Sequence, residues 1–226
     1  MKDILMRILS FDIGIIHLAA VVVDIPDDAL KRSERIPMAV LHCDLINITE
    51  YTHNTVPTSE CKLHHTREIT DRVHHMLQEY APKWRDCEKV LLERQPLCGL
   101  VHVEALLFNH FRQKVAKVSP NAMHKHFGLS DDYETRKQQT VAMAHAWLHD
   151  RWTQWERRHD VADALVLAAY WATKERERQH DQARLTRIAM EKQAVSDALS
   201  GESTDLLSFI ENCRHKPSAF DPSCSD

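Results

Sequence analysis

The stretch ILMRILSFDIGIIHLAAVVVD, residues 4–24, holds the pattern that decides the fold. Ile4–Phe11 is apolar with β-branched content, and Leu18–Asp24 repeats that character after a short turn containing Gly14. A third apolar run follows at Met38–Ile46. Three such runs joined by short connections predict an antiparallel meander.

Beyond the meander the periodicity changes. Ile69, Val73, Met76, Leu77 and Tyr80 fall at helical spacing within Thr66–Tyr80, a segment that Pro82 is expected to close. Lys89–Leu92 reads as a short buried strand, Val101–Phe111 as a helix and Val115–Val118 as a fifth strand ending at Ser119-Pro120. Two further helices are expected at Tyr133–Asp150 and Asp160–Lys174. The order β-β-β-α-β-α-β-α-α predicts an α/β fold, a mixed sheet with helices on both faces. Past Lys174 charged residues dominate over a thin apolar stripe of Leu185, Ile188, Val195 and Leu199. The expected division is a core of residues 1–175, followed by a charged helical extension and loosely ordered tail over 176–226.

Composition excludes several classes of function. Four glycines (Gly14, Gly99, Gly128 and Gly201), widely spaced in 226 residues, cannot build a P-loop or a dinucleotide fingerprint. No nucleotide cofactor is therefore expected. Asp12-x-Gly14 is also similar to the first phosphate motif of sugar-kinase and actin-like ATPases, but the further glycine-rich loops those enzymes need have no glycines to form them. The net charge of −4 makes any nucleic-acid surface a local one. The N-terminus is too charged for a signal peptide, and the longest apolar run, Ala164–Ala172, is too short to span a bilayer. Six cysteines without a CxxC pair suit reduced thiols in a soluble intracellular protein.

Four carboxylates stand out. Asp12 ends the most apolar strand and Glu93 ends another buried one, in Val90-Leu91-Leu92-Glu93. A turn aspartate and a strand-end charge reaching solvent are the simpler accounts of each. Asp160 and Asp163 open a helix that continues Ala164-Leu165-Val166-Leu167-Ala168-Ala169-Tyr170-Trp171, apolar on nearly every face. Asp160 could serve as a cap, but Asp163 lies almost one turn further in, on the same face. Two like charges on a buried helix call for a cation between them, and a hard divalent ion is the natural candidate. Two such ions serve in-line phosphoryl displacement when three or four acidic groups converge from separate elements.

These motifs, with others in one order, resemble a known family. Phe11-Asp12-Ile13-Gly14, Leu91-Leu92-Glu93-Arg94-Gln95-Pro96, Ala116-Lys117-Val118-Ser119-Pro120, Arg136-Lys137 and Asp160-Val161-Ala162-Asp163-Ala164 together are similar to the poxvirus-type Holliday junction resolvases. Those are relatives of RuvC in the RNase H-like superfamily, and the similarity covers roughly residues 5–172. The resemblance implies an RNase H-like sheet of five strands, three antiparallel plus two parallel, with the Asp12 strand beside the Glu93 strand. It implies a homodimer that nicks a four-way DNA junction symmetrically with Mg2+ or Mn2+, with two ions per site. It also makes Asp12, Glu93, Asp160 and Asp163 the metal ligands, and Lys137 a contact to phosphate near the cut. The sequence departs from the family at Ile15-Ile16-His17-Leu18, where polar or basic residues are usual.

Residues 105–130 contain no acidic residue and carry Arg112, Lys114, Lys117 and Lys125, with His110, His124 and His126; Arg136 follows. This is the expected DNA-binding surface, with a solvated helix face as the alternative. His145 and His149 have the spacing of helical metal ligands, and His64-His65 and His74-His75 are doublets, but no third ligand points to zinc. His159 either positions water or phosphate or simply begins the helix. Trp147, Trp152, Trp155 and Trp171 suit the core or a dimer interface. The leading expectation is a junction-resolving endonuclease. An RNase H-like nuclease for RNA–DNA hybrids or flaps and a non-catalytic junction-binding module are the alternatives.

Overall fold

A computed structural model describes residues 5–26, 36–51, 68–148 and 157–200. It contains β1 (Leu5–Ile13), β2 (His17–Pro26), β3 (Ala39–Asn47), α1 (Ile69–Trp84), β4 (Lys89–Glu93), α2 (Val101–His110), β5 (Val115–Val118), α3 (Pro120–Phe127), α4 (Tyr133–Leu148) and α5 (Arg158–Ser200). The five strands form one sheet in the order β3-β2-β1-β4-β5. β1 pairs antiparallel with β2, and β2 with β3, while β1-β4 and β4-β5 are parallel. This is the mixed sheet expected, with β1 at its centre.

Side-chain alternation along the strands builds two cores. Ile8, Ala19, Val21, Val23, Ile25 and Leu91 face one side, where they pack with Met123 of α3, Ala144 and Leu148 of α4, and Val161 to Ala172 of α5. Leu9, Phe11, Ile13, Leu18, Ala20, Val22, Val90 and Leu92 face the other, against Val73, Met76, Leu77 and Trp84 of α1 and Val103 and Leu107 of α2. Because side chains repeat with period two, Asp12 and Glu93 fall on the face that carries α3, α4 and α5. Small residues on α5 (Ala162, Ala164, Ala168, Ala169 and Ala172) are fully or almost fully buried, which brings that helix close to the sheet.

Two local expectations are corrected. Pro82 does not close α1, which continues to Trp84. A proline in the last turn removes only one N–H, and Trp84 anchors the extra turn by stacking on Tyr80 (4.9 Å) and meeting Phe11 edge-on (5.2 Å). α3 was not anticipated, although Ser119-Pro120 supplies its first turn and Gly128, at φ 63°, its left-handed end.

The chain divides into two compact units, Met1–Arg176 and Glu177–Asp226. The first contains the sheet and both cores. In the second, Leu185, Met190 and Val195 are each at least half exposed. Among the described residues no helix is long and apolar enough to cross a membrane. His149, Trp152, Trp155 and the 64–65 pair lie outside the described residues. Trp147 and Trp171 pack against the α4/α5 core, and the Trp147 indole donates to the Ile36 carbonyl (3.2 Å).

Candidate active site

The site forms where β1 and β4 end together. Their parallel register pairs Phe11 with Leu92, so Asp12 and Glu93 leave adjacent strands side by side. The Asp12 and Glu93 carboxyl groups are close enough for each to perturb the other. Burial, then the Glu93 charge, holds the Asp12 carboxyl well above the usual carboxylate range. Burial likewise raises Glu93, with Asp163 adding to the effect, while its bond with Asp12 and the Lys137 charge oppose it.

The second pair of carboxylates enters from α5. Asp160 is buried; it accepts from Arg157 Nε (2.7 Å) and meets His159 Nε2 (3.1 Å). Asp163 accepts from Lys137 Nζ, which also lies 4.0 Å from Asp160. Burial opposes the charge on Lys137, but Asp163 and Asp12 outweigh it and hold the ammonium charged above its ordinary range. Burial lowers the His159 imidazole despite Asp160 beside it, so near neutral pH it is uncharged. The four carboxylates thus gather at one end of the sheet, with Lys137 and Arg157 as the cations paired to Asp163 and Asp160.

A cleft of about 500 Å³ joins these groups, lined by Asp12, Glu93, Asp160, Asp163, Lys137, Arg136, Arg157, His124 and Tyr133, and by the turn Gly14–His17. Among the described residues no three His, Cys, Asp or Glu side chains gather closely enough to hold an ion as arranged. In this arrangement Lys137 pairs with Asp163 and Arg157 with Asp160. The donor set still suits a hard divalent cation, being oxygen-only, half-buried and burdened by carboxylate repulsion that an ion would relieve.

The basic residues proposed from the sequence do not form one surface. Arg136 and Lys137 line the cleft. Arg112 and Lys114 instead border a different pocket of about 510 Å³, where β4 and β5 begin, at the opposite end of the parallel strands. Lys114 donates to the Cys87 carbonyl (2.9 Å), and Lys117 pairs with the buried Glu104. Lys125 is exposed on α3. The continuity of residues 105–130 in sequence is broken because β5 carries the chain from one end of the sheet to the other.

Glu104, Arg157 and Tyr133 were missed as contributors to this end of the sheet, and the Ile15-Ile16 turn was noted only as a departure from the family. Glu104 receives the backbone N–H of Gln95 (2.6 Å) as well as Lys117, and so braces the loop that follows Glu93. A glutamate in the apolar run Val103-Glu104-Ala105-Leu106-Leu107 was the available signal.

The sequence profile of the family described as poxvirus A22 protein matches residues 6–175, more than half the chain. This chain belongs to the poxvirus A22 protein family. The matched span of this family member covers β2 to β5, all of β1 but Leu5, and all four carboxylates. A crystal structure of fowlpox virus resolvase with its substrate Holliday junction DNA is similar to it, with a TM-score of 0.52 and 14% identity, over 75% of this chain and 98% of that one. The yeast mitochondrial Holliday junction resolvase Ydc2 gives a TM-score of 0.55 and 16% identity, over 81% of this chain and 86% of the other. At these identities the likeness establishes a shared fold. No curated protein matched the chain in sequence.

Proposed function

We propose that this A22-family chain is a divalent-metal-dependent endonuclease that resolves four-way DNA junctions by paired, symmetric nicks. The observation that carries it is the convergence of Asp12, Glu93, Asp160 and Asp163, from two parallel strands and a buried helix, with Lys137 in the same cleft. Family membership and the fold shared with two junction resolvases support the choice of substrate.

The four carboxylates would hold Mg2+ or Mn2+, two ions per site. Bound there, the metal supplies Lewis acidity for water attack on a phosphodiester and counter-charge for the leaving oxygen. Lys137 and Arg136 place cations along the same cleft, where they neutralise the phosphate being transferred. Arg157 and His159 hold Asp160 in place. Glu104 fixes the Glu93 loop. Two sites acting on two opposed strands call for a homodimer.

Cleavage of a synthetic four-way junction with Mg2+, with Mn2+ and with EDTA tests this reading. Symmetric paired nicks that vanish in EDTA are expected, and the Asp12→Asn chain should bind the junction without nicking it. Faster cleavage of an RNA–DNA hybrid or a flap would overturn the junction assignment.

A further inference from the structure

Two isoleucines stand in the open at the mouth of the carboxylate cleft. Ile15 is 77% exposed and Ile16 48% exposed, and both line the cleft beside Asp12. They form the tip of the β1–β2 connection, a place where short polar or flexible residues are favoured and two β-branched apolar side chains are not. Burial does not explain them, because neither belongs to a core. The turn beneath them is rigid. Gly14 N–H donates to the His17 carbonyl (2.9 Å), and Ile48 N–H donates to the Ile16 carbonyl (2.9 Å) from the end of β3. At Gly14 a Cβ would lie 2.7 Å from the His17 carbonyl oxygen, so the close turn requires glycine there. Tyr133, 53% exposed at the start of α4, lines the same cleft, with Lys137 Nζ 5.5 Å from its ring centre.

A phosphodiester held in the cleft by Lys137 and Arg136 brings its flanking nucleotide with it. Lys137 and Arg136 can hold the phosphate, but a base or sugar face needs an apolar partner, and the cleft offers Ile15, Ile16 and the Tyr133 ring. Inside a duplex that base is stacked and cannot reach them. At a branch point its stacking is already interrupted, and an apolar wedge separates such a step at the lowest cost. We propose that Ile15 and Ile16, with Tyr133 in the same cleft, receive a nucleotide unstacked at the branch point and so favour branched over continuous DNA. This inference rests on the junction-nuclease reading and adds the element that selects the branch.

The test uses the full-length chain with Ile15→Ser and with Ile15→Ser/Ile16→Ser, each checked by thermal melting. Two junctions serve as substrates, one fully paired and one with mismatched, pre-opened bases at the crossover. The double variant should nick the paired junction at least about tenfold more slowly, as each factor of ten is a modest loss of transition-state stabilisation. The pre-opened junction should restore its rate to within about threefold of the unsubstituted chain, because the unstacking is already done. Wild-type protein should raise the fluorescence of 2-aminopurine at the crossover in Ca2+, and the double variant should not. Equal losses on both junctions, or no loss on either, would overturn the proposal. So would a change in oligomeric state, which would assign the turn to a second copy of the chain. If the unsubstituted protein nicks no DNA, the junction-nuclease reading itself fails, a result distinct from all of these.

Discussion

Asp12 is the residue on which folding and the proposed function pull in opposite directions. Its carboxyl titrates well above its unfolded value because burial and Glu93 oppose its charge. Between the unfolded pKa, about 3.9, and that raised folded value, the native state binds more protons than the unfolded chain. Stability from this group therefore falls as pH rises through the window and stays low above it. In EDTA, Asp12→Asn should melt a few degrees higher than the unsubstituted chain at pH 7.5, and the gain should shrink towards zero near pH 4. A gain independent of pH would mean that Asp12 is well solvated. Mg2+ should raise the melting temperature of the unsubstituted chain and have a much smaller effect on the Asn variant. Cys87 offers a simpler titration. Burial pushes its thiol up to about 11, whereas Cys98 is exposed. At pH 8 only about one Cys87 in a thousand is thiolate. Peptide mass spectrometry after iodoacetamide should find Cys98 modified at least about 100-fold faster than Cys87. Comparable rates would show that the α1–β4 connection opens readily.

At the scale of elements, legibility followed the strength of local pattern. The strands were visible because each is an apolar run with β-branched content, and β2, almost wholly buried, differs from its sequence-based bounds by only one residue at the start and two at the end. α3 was hidden by its length, eight residues, which gives periodicity no room to repeat. Pro82 misled because a local breaker was weighed without its tertiary partner, the aromatic cluster that holds the final turn of α1. The carboxylates were legible as anomalies of burial, but their meeting depends on β1 and β4 being neighbours in parallel register, which no local signal carries. The same blindness merged Arg112 and Lys114 with Lys125 into one surface. Trp84 gives the element-scale prediction: Trp84→Ala removes a buried ring that touches Phe11, Tyr80 and Phe111, at a cost of about 3–5 kcal/mol. Urea denaturation should show that loss with an unchanged slope, and a cost below about 1 kcal/mol would mean that the last turn of α1 is dispensable. Glu104→Gln should weaken the brace on the Glu93 loop by about 1–3 kcal/mol, since a charged acceptor of two hydrogen bonds is lost.

At the scale of the molecule, every feature used above falls within residues 1–176. Among the described residues both cores end by Ala172 and the last carboxylate of the cleft is Asp163, and the family match ends at 175. Among the described residues of the second unit, Leu185, Met190 and Val195 are exposed. Folding free energy comes from buried apolar area, so the first unit contains what it needs to fold by itself. A chain ending at Arg176 should therefore melt in one cooperative transition within about 3 °C of the full chain. It should also nick a four-way junction at a similar rate once both proteins are saturated with DNA. The comparison should include mass from light scattering. A shorter chain that turns monomeric and loses paired nicks, yet still melts cooperatively, would assign dimerisation to residues beyond 176. A broad, early transition would instead show that the core extends past the boundary and that the two-unit division is wrong.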